Sequence, residues 1–533
     1  MSYTYLFKRR SFQVLLSFLG LSVIVFALLA AAPFSSGLGL SQGGLDPRIQ
    51  KIMNESIYQH GEWSLLETDP ATGRTVQSVA PAQRLFVQGS TTKIFTVSAA
   101  LDDLGFTHHF TTPVFALGQT SGGSLSGKLV LLAQGDLTMG GRTTPDGSVD
   151  FTNLDHGDAS NFVPGVTLTP ENPLAGINQL AQQIHASGIT HVNGDVVIDD
   201  RLFQPDPDLD PRTNPMIIND NLFDVVVTPG HVGAGPGSVT WRPQVAPFHL
   251  VVQVTTVAAG QPTALSVQPF PDGRLLVSGT IAAGAGQQVR VADIPDPASF
   301  ARTALIEALS RVGVSVSAVA TGPNPISKLP PTSNYQGDPR VAAYVSPPFS
   351  EYTKLIFKIS SNVGADLMLC LMAVKAGSTN CEDGFPVLAS FLTRAHVDTN
   401  QIVLTDGHGG PNDRFTPQAL TELLHYWMGQ PEFAQFRQML PILGEHGNLA
   451  GICTSCPAMG KVFAKPGTAA ALDSFNTRLF LSEALGGYLE VKPGKFYIFD
   501  LAINNALIPF TGAQQVFNDL ANISAFLQED AAK

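Results

Sequence analysis

Gly89-Ser90-Thr91-Thr92-Lys93-Ile94-Phe95-Thr96 contains the one Ser-x-x-Lys of this chain. It stands where the hydrophobic pattern changes period. Ile94, Val97, Leu101 and Leu104 recur at helical spacing and Gly105 supplies a stop, so a helix is predicted with Ser90 in its first turn. Residues three apart lie on one face of a helix, which brings Lys93 within reach of the Ser90 hydroxyl. A serine hydroxyl is a weak nucleophile at neutral pH and needs an adjacent base. Lysine can be that base when burial and nearby positive charge favour its neutral form. The helix N-terminus adds positive potential that also supports a negatively charged transition state.

Two later stretches fit the same chemistry. Helical patterns over Ser350 to Ile359 and Val363 to Val374 are interrupted by Ser360-Ser361-Asn362, so a hydroxyl and an amide are expected at a junction between two helices. There Ser360 can pass a proton to a leaving amine and Asn362 can hold a substrate carbonyl, although Ser-x-Asn is also an ordinary capping turn. Lys461 to Lys465 reads as a strand with Lys461, Phe463 and Lys465 on one face, leading into Pro466-Gly467-Thr468. Lys465 would give fixed positive charge for a carboxylate, and Gly467 would let a substrate backbone come close. The N–H of Thr468 would pair with that of Ser90 as an oxyanion hole. Pro-Gly is equally an edge-strand turn signal.

With 533 residues, 50 glycines, 38 prolines and only 14% charged residues, the chain is expected to form several globular domains with a large β component. A net charge of −12, with no basic patch interleaved with aromatics, argues against nucleic-acid binding. Lys8, Arg9 and Arg10 precede an apolar run from Val14 to Phe34. This is the order of an export signal, and about 20 apolar residues also suffice for a bilayer-crossing helix. Residues 12–34 are therefore read as a cleaved signal, with Ala30-Ala31-Ala32 as a cut site disfavoured by Pro33, or as a retained anchor. Both place the remainder outside the cytoplasm. Cys370, Cys381, Cys453 and Cys456 suit two disulfides in an exported chain, with free thiols as the alternative. Cys453-Thr454-Ser455-Cys456 has the spacing of half a zinc site, but the other half is missing.

The expected organisation is a signal or anchor in residues 1–45, the first part of a catalytic domain in 46–105, inserted β-rich material in 106–335 with a nested unit near 222–290, and the second part in 336–530. The insertion is read from short Val-rich runs separated by Gly/Pro/Asp turns, such as Leu129 to Ala133 and Val192 to Ile198.

The three stations, with Gly135-Asp136-Leu137-Thr138, Gly194-Asp195-Val196-Val197-Ile198-Asp199-Asp200, Ser346-Pro347-Pro348 and Asp406-Gly407-His408-Gly409, resemble the class C penicillin-binding proteins. These are exported D-alanyl-D-alanine carboxypeptidases and endopeptidases. The resemblance spans roughly residues 46–525. It implies an α/β fold: a penicillin-binding/β-lactamase-like transpeptidase domain, an antiparallel sheet flanked by helices, split by inserted β-rich α+β domains. It implies action on peptidoglycan stem peptides through an acyl-enzyme, β-lactams as inhibitors, and no metal or organic cofactor. By position Ser90 is nucleophile, Lys93 base, Ser360 and Asn362 second-station groups, and Lys465, Gly467 and Thr468 the strand that meets the substrate carboxylate.

Two departures stand out. Pro466 replaces the threonine of the family's Lys-Thr-Gly, which places more of the carboxylate binding on Lys465 and the Thr468 hydroxyl. His408 replaces a serine and is read as a solvated loop residue, with a proton carrier as the alternative. Pro466 also motivates a second reading, a cell-wall-binding scaffold of reduced activity. A β-lactamase or esterase on the same scaffold is a third.

Overall fold

Asp69 turns the first hairpin: its carboxylate accepts from the Ala71 N–H at 3.0 Å, and Gly73 takes a left-handed φ of 69° that a side chain would resist. The turn joins strands Glu62–Asp69 and Arg74–Val79. The computed structural model describes residues 44–533 except Gln336, Asn476 and Thr477, so the basic and apolar N-terminal segment read as signal or anchor lies outside the described residues. Among the described residues no helix is long and apolar enough to cross a membrane.

Both ends of the described chain build one antiparallel five-stranded sheet. Its order is Val462–Asp473, Arg478–Lys492, Lys495–Pro509, Glu62–Asp69, Arg74–Val79. The central strand Lys495–Pro509 shows period-two alternation. Tyr497, Phe499, Leu501 and Ile503 pack with Val516, Leu520, Ile523 and Leu527 of the last helix, Ala513–Ala531, while Phe496 and Ile498 join the core on the other face. That second core is built by helices Lys93–Leu104, Phe349–Ile359, Asn362–Lys375 and Pro417–Met428. Every residue from Val363 to Ala373 is buried, so this helix has no solvent face and acts as the hub. Cys370 and Cys381 form a disulfide that ties the end of the hub helix to the next segment. Cys453 and Cys456 form another, which closes the zinc reading for the Cys-x-x-Cys.

Residues 111–345 form separate sheets. The largest joins Ser124–Leu132, Thr111–Ser121 and Arg340–Val345, with Val196–Asp199, His191–Val192 and Ser315–Val316 on its other side. Arg340–Val345, just beyond the boundary expected at 335/336, pairs antiparallel with Thr111–Ser121. Two three-stranded sheets, built from strands between Leu222 and Asp293, occupy the region expected as a nested unit.

Candidate active site

Gly89–Thr92 form a tight 3₁₀ turn that feeds directly into the Lys93–Leu104 helix. Ser90 is partly open, while Lys93 is fully buried beneath it. Lys93 Nζ lies 2.6 Å from Ser90 Oγ, 2.8 Å from Asn362 Oδ1 and 3.0 Å from the His408 carbonyl oxygen. A buried lysine with three oxygens around it is held in one place.

The predicted helix junction is present. Ser360 ends Phe349–Ile359 in the left-handed conformation, φ 62° and ψ 39°. A non-glycine residue there costs about 1–2 kcal/mol, strain of the kind that collects at functional sites. Ser361 caps the hub helix by accepting from the Gly364 N–H at 3.1 Å, which leaves Ser360 and Asn362 facing the cleft. Lys465 reaches across to the same junction: its Nζ donates to Ser360 Oγ at 2.8 Å and to the Pro466 carbonyl at 2.7 Å.

Pro466-Gly467 is not a turn. The strand runs unbroken from Val462 to Asp473 along the sheet edge, where proline's missing N–H is tolerated. The close approach that Gly467 permits is to the chain itself. A Cβ on Gly467 would lie 2.0 Å from the Gln88 carbonyl oxygen and 2.8 Å from the Ser90 nitrogen, and one on Gly89 would lie 2.6 Å from the Thr468 nitrogen. Two glycines thus seat the strand against the Ser90 turn and bring the Ser90 and Thr468 backbones together. Of the seven site residues drawn from the sequence, Ser90, Ser360, Asn362 and Thr468 line one cleft of about 230 Å³, and Lys93, Lys465 and Gly467 lie behind it in contact with them. Its far wall comes from the inserted region, with Asp155, His156 and Arg212.

The electrostatics follow from burial. Burial first, then the neighbouring Lys93 charge, holds the Lys465 ammonium well below the usual lysine range. Burial pushes Glu483 up to about 8 against the opposing hydrogen bond from Thr468 and the charge of Lys465. Glu483 was not among the residues drawn from the sequence. A signal existed: Leu481, Glu483 and Leu485 alternate on one face of their strand, and a carboxylate between two core leucines invites a partner.

His408 is not a solvated loop residue. Its side chain is only 20% exposed, its Nδ1 lies 2.9 Å from Asp366 Oδ2, and its carbonyl accepts from Lys93 Nζ at 3.0 Å. Burial disfavours its charged form, but the hydrogen bond and charge of Asp366 outweigh it and raise the pKa. Asp366, Asp406 and His408 bring three ligand atoms within 4.8 Å of one another. Their oxygens already accept hydrogen bonds: Asp366 from the Gly407 and Asp210 N–H groups, Asp406 from those of His408, Gly409 and Gly410. Donors aimed at these oxygens suit a loop anchor better than a cation site.

The D-Ala-D-Ala carboxypeptidase 3 (S13) family matches residues 62–527. The chain belongs to that family. The chain is 26% identical over 502 residues to the D-alanyl-D-alanine carboxypeptidase of Actinomadura sp., covering 89% of this chain and 84% of the relative. It is 23% identical over 409 residues to the penicillin-sensitive carboxypeptidase A of Dictyostelium discoideum, covering 73% of each. The crystal structure of penicillin binding protein 4 from Haemophilus influenzae superposes with a TM-score of 0.66 at 18% identity, over 91% of this chain and 99% of that one. This carboxypeptidase family member therefore has the penicillin-binding/β-lactamase-like fold expected from its three stations.

Proposed function

We propose that the protein is a penicillin-binding D-Ala-D-Ala carboxypeptidase or endopeptidase that cleaves peptidoglycan stem peptides outside the cytoplasm through an acyl-enzyme on Ser90. The observation that carries this reading is the convergence of Lys93 on Ser90 Oγ, Asn362 Oδ1 and the His408 carbonyl. A neutral amine has two hydrogens and one lone pair. The two carbonyl oxygens take the hydrogens, and the lone pair is left for the Ser90 hydroxyl proton.

In this mechanism Ser90 Oγ attacks the carbonyl of the penultimate D-alanine while its proton moves to Lys93 Nζ. The oxyanion that forms meets the Ser90 and Thr468 N–H groups. Collapse of the tetrahedral species breaks the peptide C–N bond. The leaving amine takes its proton from Ser360 Oγ, which is refilled by the proton that Lys93 took from Ser90, so Lys93 is neutral again in the acyl-enzyme, while Lys465 holds Ser360 in place. Water then attacks the ester, gives a proton to Lys93 and restores the serine. Lys465 and the Thr468 hydroxyl serve the terminal carboxylate, and Asn362 positions the acyl portion. Residues 111–345 supply the wall that the remainder of the stem peptide meets.

The scaffold reading loses support from the local geometry, because Pro466 is accommodated within the strand and leaves Lys465 in contact with Ser360. Incubation with a D-Ala-D-Ala peptide and with labelled penicillin tests the proposal. D-alanine release and a stable adduct, both abolished by Ser90→Ala in a folded protein, are expected. Rapid, repeated destruction of the penicillin would point to a β-lactamase, and binding to peptidoglycan without D-alanine release to the scaffold.

A further inference from the structure

Thr468 and Glu483 are directly opposed across two adjacent strands, and the Thr468 hydroxyl lies 2.9 Å from Glu483 Oε1. The two ends of this contact differ. Thr468 is exposed at the rim beside the Ser90 turn, whereas Glu483 is 2% exposed among side chains that pack beneath the last helix. A hydroxyl has one hydrogen to give and two lone pairs to offer. An ionised Glu483 can only accept, so it takes that hydrogen and turns the lone pairs of Thr468 towards the cleft. A protonated Glu483 donates to Thr468 Oγ1 and frees the hydroxyl hydrogen for a ligand.

We propose that Glu483 is a positioning residue whose protonation decides whether Thr468 offers a hydrogen or a lone pair to the terminal carboxylate of the peptide, making carboxylate recognition pH-gated. The inference rests on the proposed function above and deepens it. Protonated Glu483 is the binding-competent form. Ionised Glu483 sets lone pairs against an anionic ligand, an unpaired arrangement that weakens binding.

The charged and titratable neighbours permit such a gate. Lys465 on the adjacent strand stabilises the carboxylate form, yet burial dominates and brings the titration up to about 8. From the turn Ser56–Tyr58, Tyr58 is within electrostatic reach. Its hydroxyl donates to Asp519 of the last helix at 2.6 Å, and burial raises its pKa, so it stays neutral through this range. On the other neighbouring strand the opposed residue is the apolar Ile503. The strand interior therefore leaves Lys465 as the group that most directly opposes the gate.

The test measures KM from pH 6 to 10 for a D-Ala-D-Ala peptide and for the same peptide as its C-terminal amide, using the full protein and Glu483→Gln. For the wild type, KM for the acid is expected to rise about tenfold per pH unit above the Glu483 transition, while KM for the amide stays level. A glutamine amide donates to Thr468 at every pH, so Glu483→Gln should abolish the rise. If Lys465 alone set the profile, losing the adjacent anion would ease its deprotonation and move the rise to lower pH. That shift, or an unchanged profile, overturns the proposal. Thr468→Val, at an exposed position, is a second probe and should raise KM at low pH and flatten its pH dependence. A wild type that neither releases D-alanine nor retains penicillin at any pH overturns the underlying reading as well, whereas an active enzyme with an unaltered Glu483→Gln profile overturns the gate alone.

Discussion

Replacing Gly467 by alanine probes how the strand is seated on the Ser90 turn. The added methyl would lie 2.0 Å from the Gln88 carbonyl oxygen, 2.6 Å from the Thr91 nitrogen and 2.8 Å from the Ser90 nitrogen, all backbone atoms with no rotamer to yield. Ordinary contact at the first of these requires a displacement of roughly 1 Å or more, and a misplacement of about 1 Å at a catalytic centre costs on the order of 10²-fold in rate. Overpacking of this kind also costs about 1–3 kcal/mol of stability. The expected result for Gly467→Ala is a fall of about 100-fold in the second-order rate of acylation by a fluorescent penicillin, with a lowered thermal midpoint. Gly284→Ala is the control, since its nearest neighbour beyond the adjoining residues is the Ala259 Cβ at 3.6 Å. Acylation of Gly467→Ala at the wild-type rate with an unchanged midpoint would show that the strand does not rest on this turn.

Three further outcomes follow from buried groups. Lys358 donates to the Leu440 carbonyl at 2.6 Å, and burial, helped by Lys354, lowers its pKa to about 7. Between that value and about 10.4 the unfolded chain binds one more proton than the folded chain, so unfolding free energy should rise with pH by up to roughly 1.4 kcal/mol per unit from this group. Urea titrations of Lys358→Met should show the slope reduced. His156 is fully enclosed between Asp224, 2.6 Å away, and Asp220, 3.2 Å away. Burial opposes its charge, but these carboxylates outweigh it and raise the pKa to about 9. A raised histidine contributes stability that is complete below about 6.5 and lost as pH climbs through the folded value. His156→Asn should thus cost about 3–5 kcal/mol at pH 6 and distinctly less at pH 10 in the same titration. Cys381→Ala opens the short loop closed by the disulfide to Cys370 and should cost about 2–3 kcal/mol, read by chemical unfolding without reductant.

The legible part of the site was the part written in local pattern. Ile94, Val97, Leu101 and Leu104 announce the helix that carries Lys93, and a break in helical period at Ser360-Ser361-Asn362 announces the junction. The third station was placed on the correct strand, but Pro466-Gly467 carries the same signature as a turn. Only the pairing of Lys465 with Gly486 and Gly467 with Ala484 shows that the strand continues. Gly467 was expected to make room for substrate, whereas it makes room for the chain's own backbone; such a contact between distant segments leaves no trace in local sequence. His408 looked like a polar loop residue because Asp366, its partner, is 42 positions away on another element. The place of Arg340–Val345 has the same origin, since it is set by pairing with a strand more than two hundred residues earlier. Glu483 was recoverable in principle from alternation, but its meaning depends on Thr468 lying opposite.

Activation of Ser90 by the Lys93 amine for acyl transfer is read out by peptide mapping of the penicillin-treated protein with mass spectrometry. One penicilloyl group is expected on the peptide containing Gly89-Ser90-Thr91-Thr92, localised to Ser90 by fragmentation and absent from Lys93→Met. An adduct on a different residue, or an undiminished Ser90 adduct in Lys93→Met, would contradict that activation.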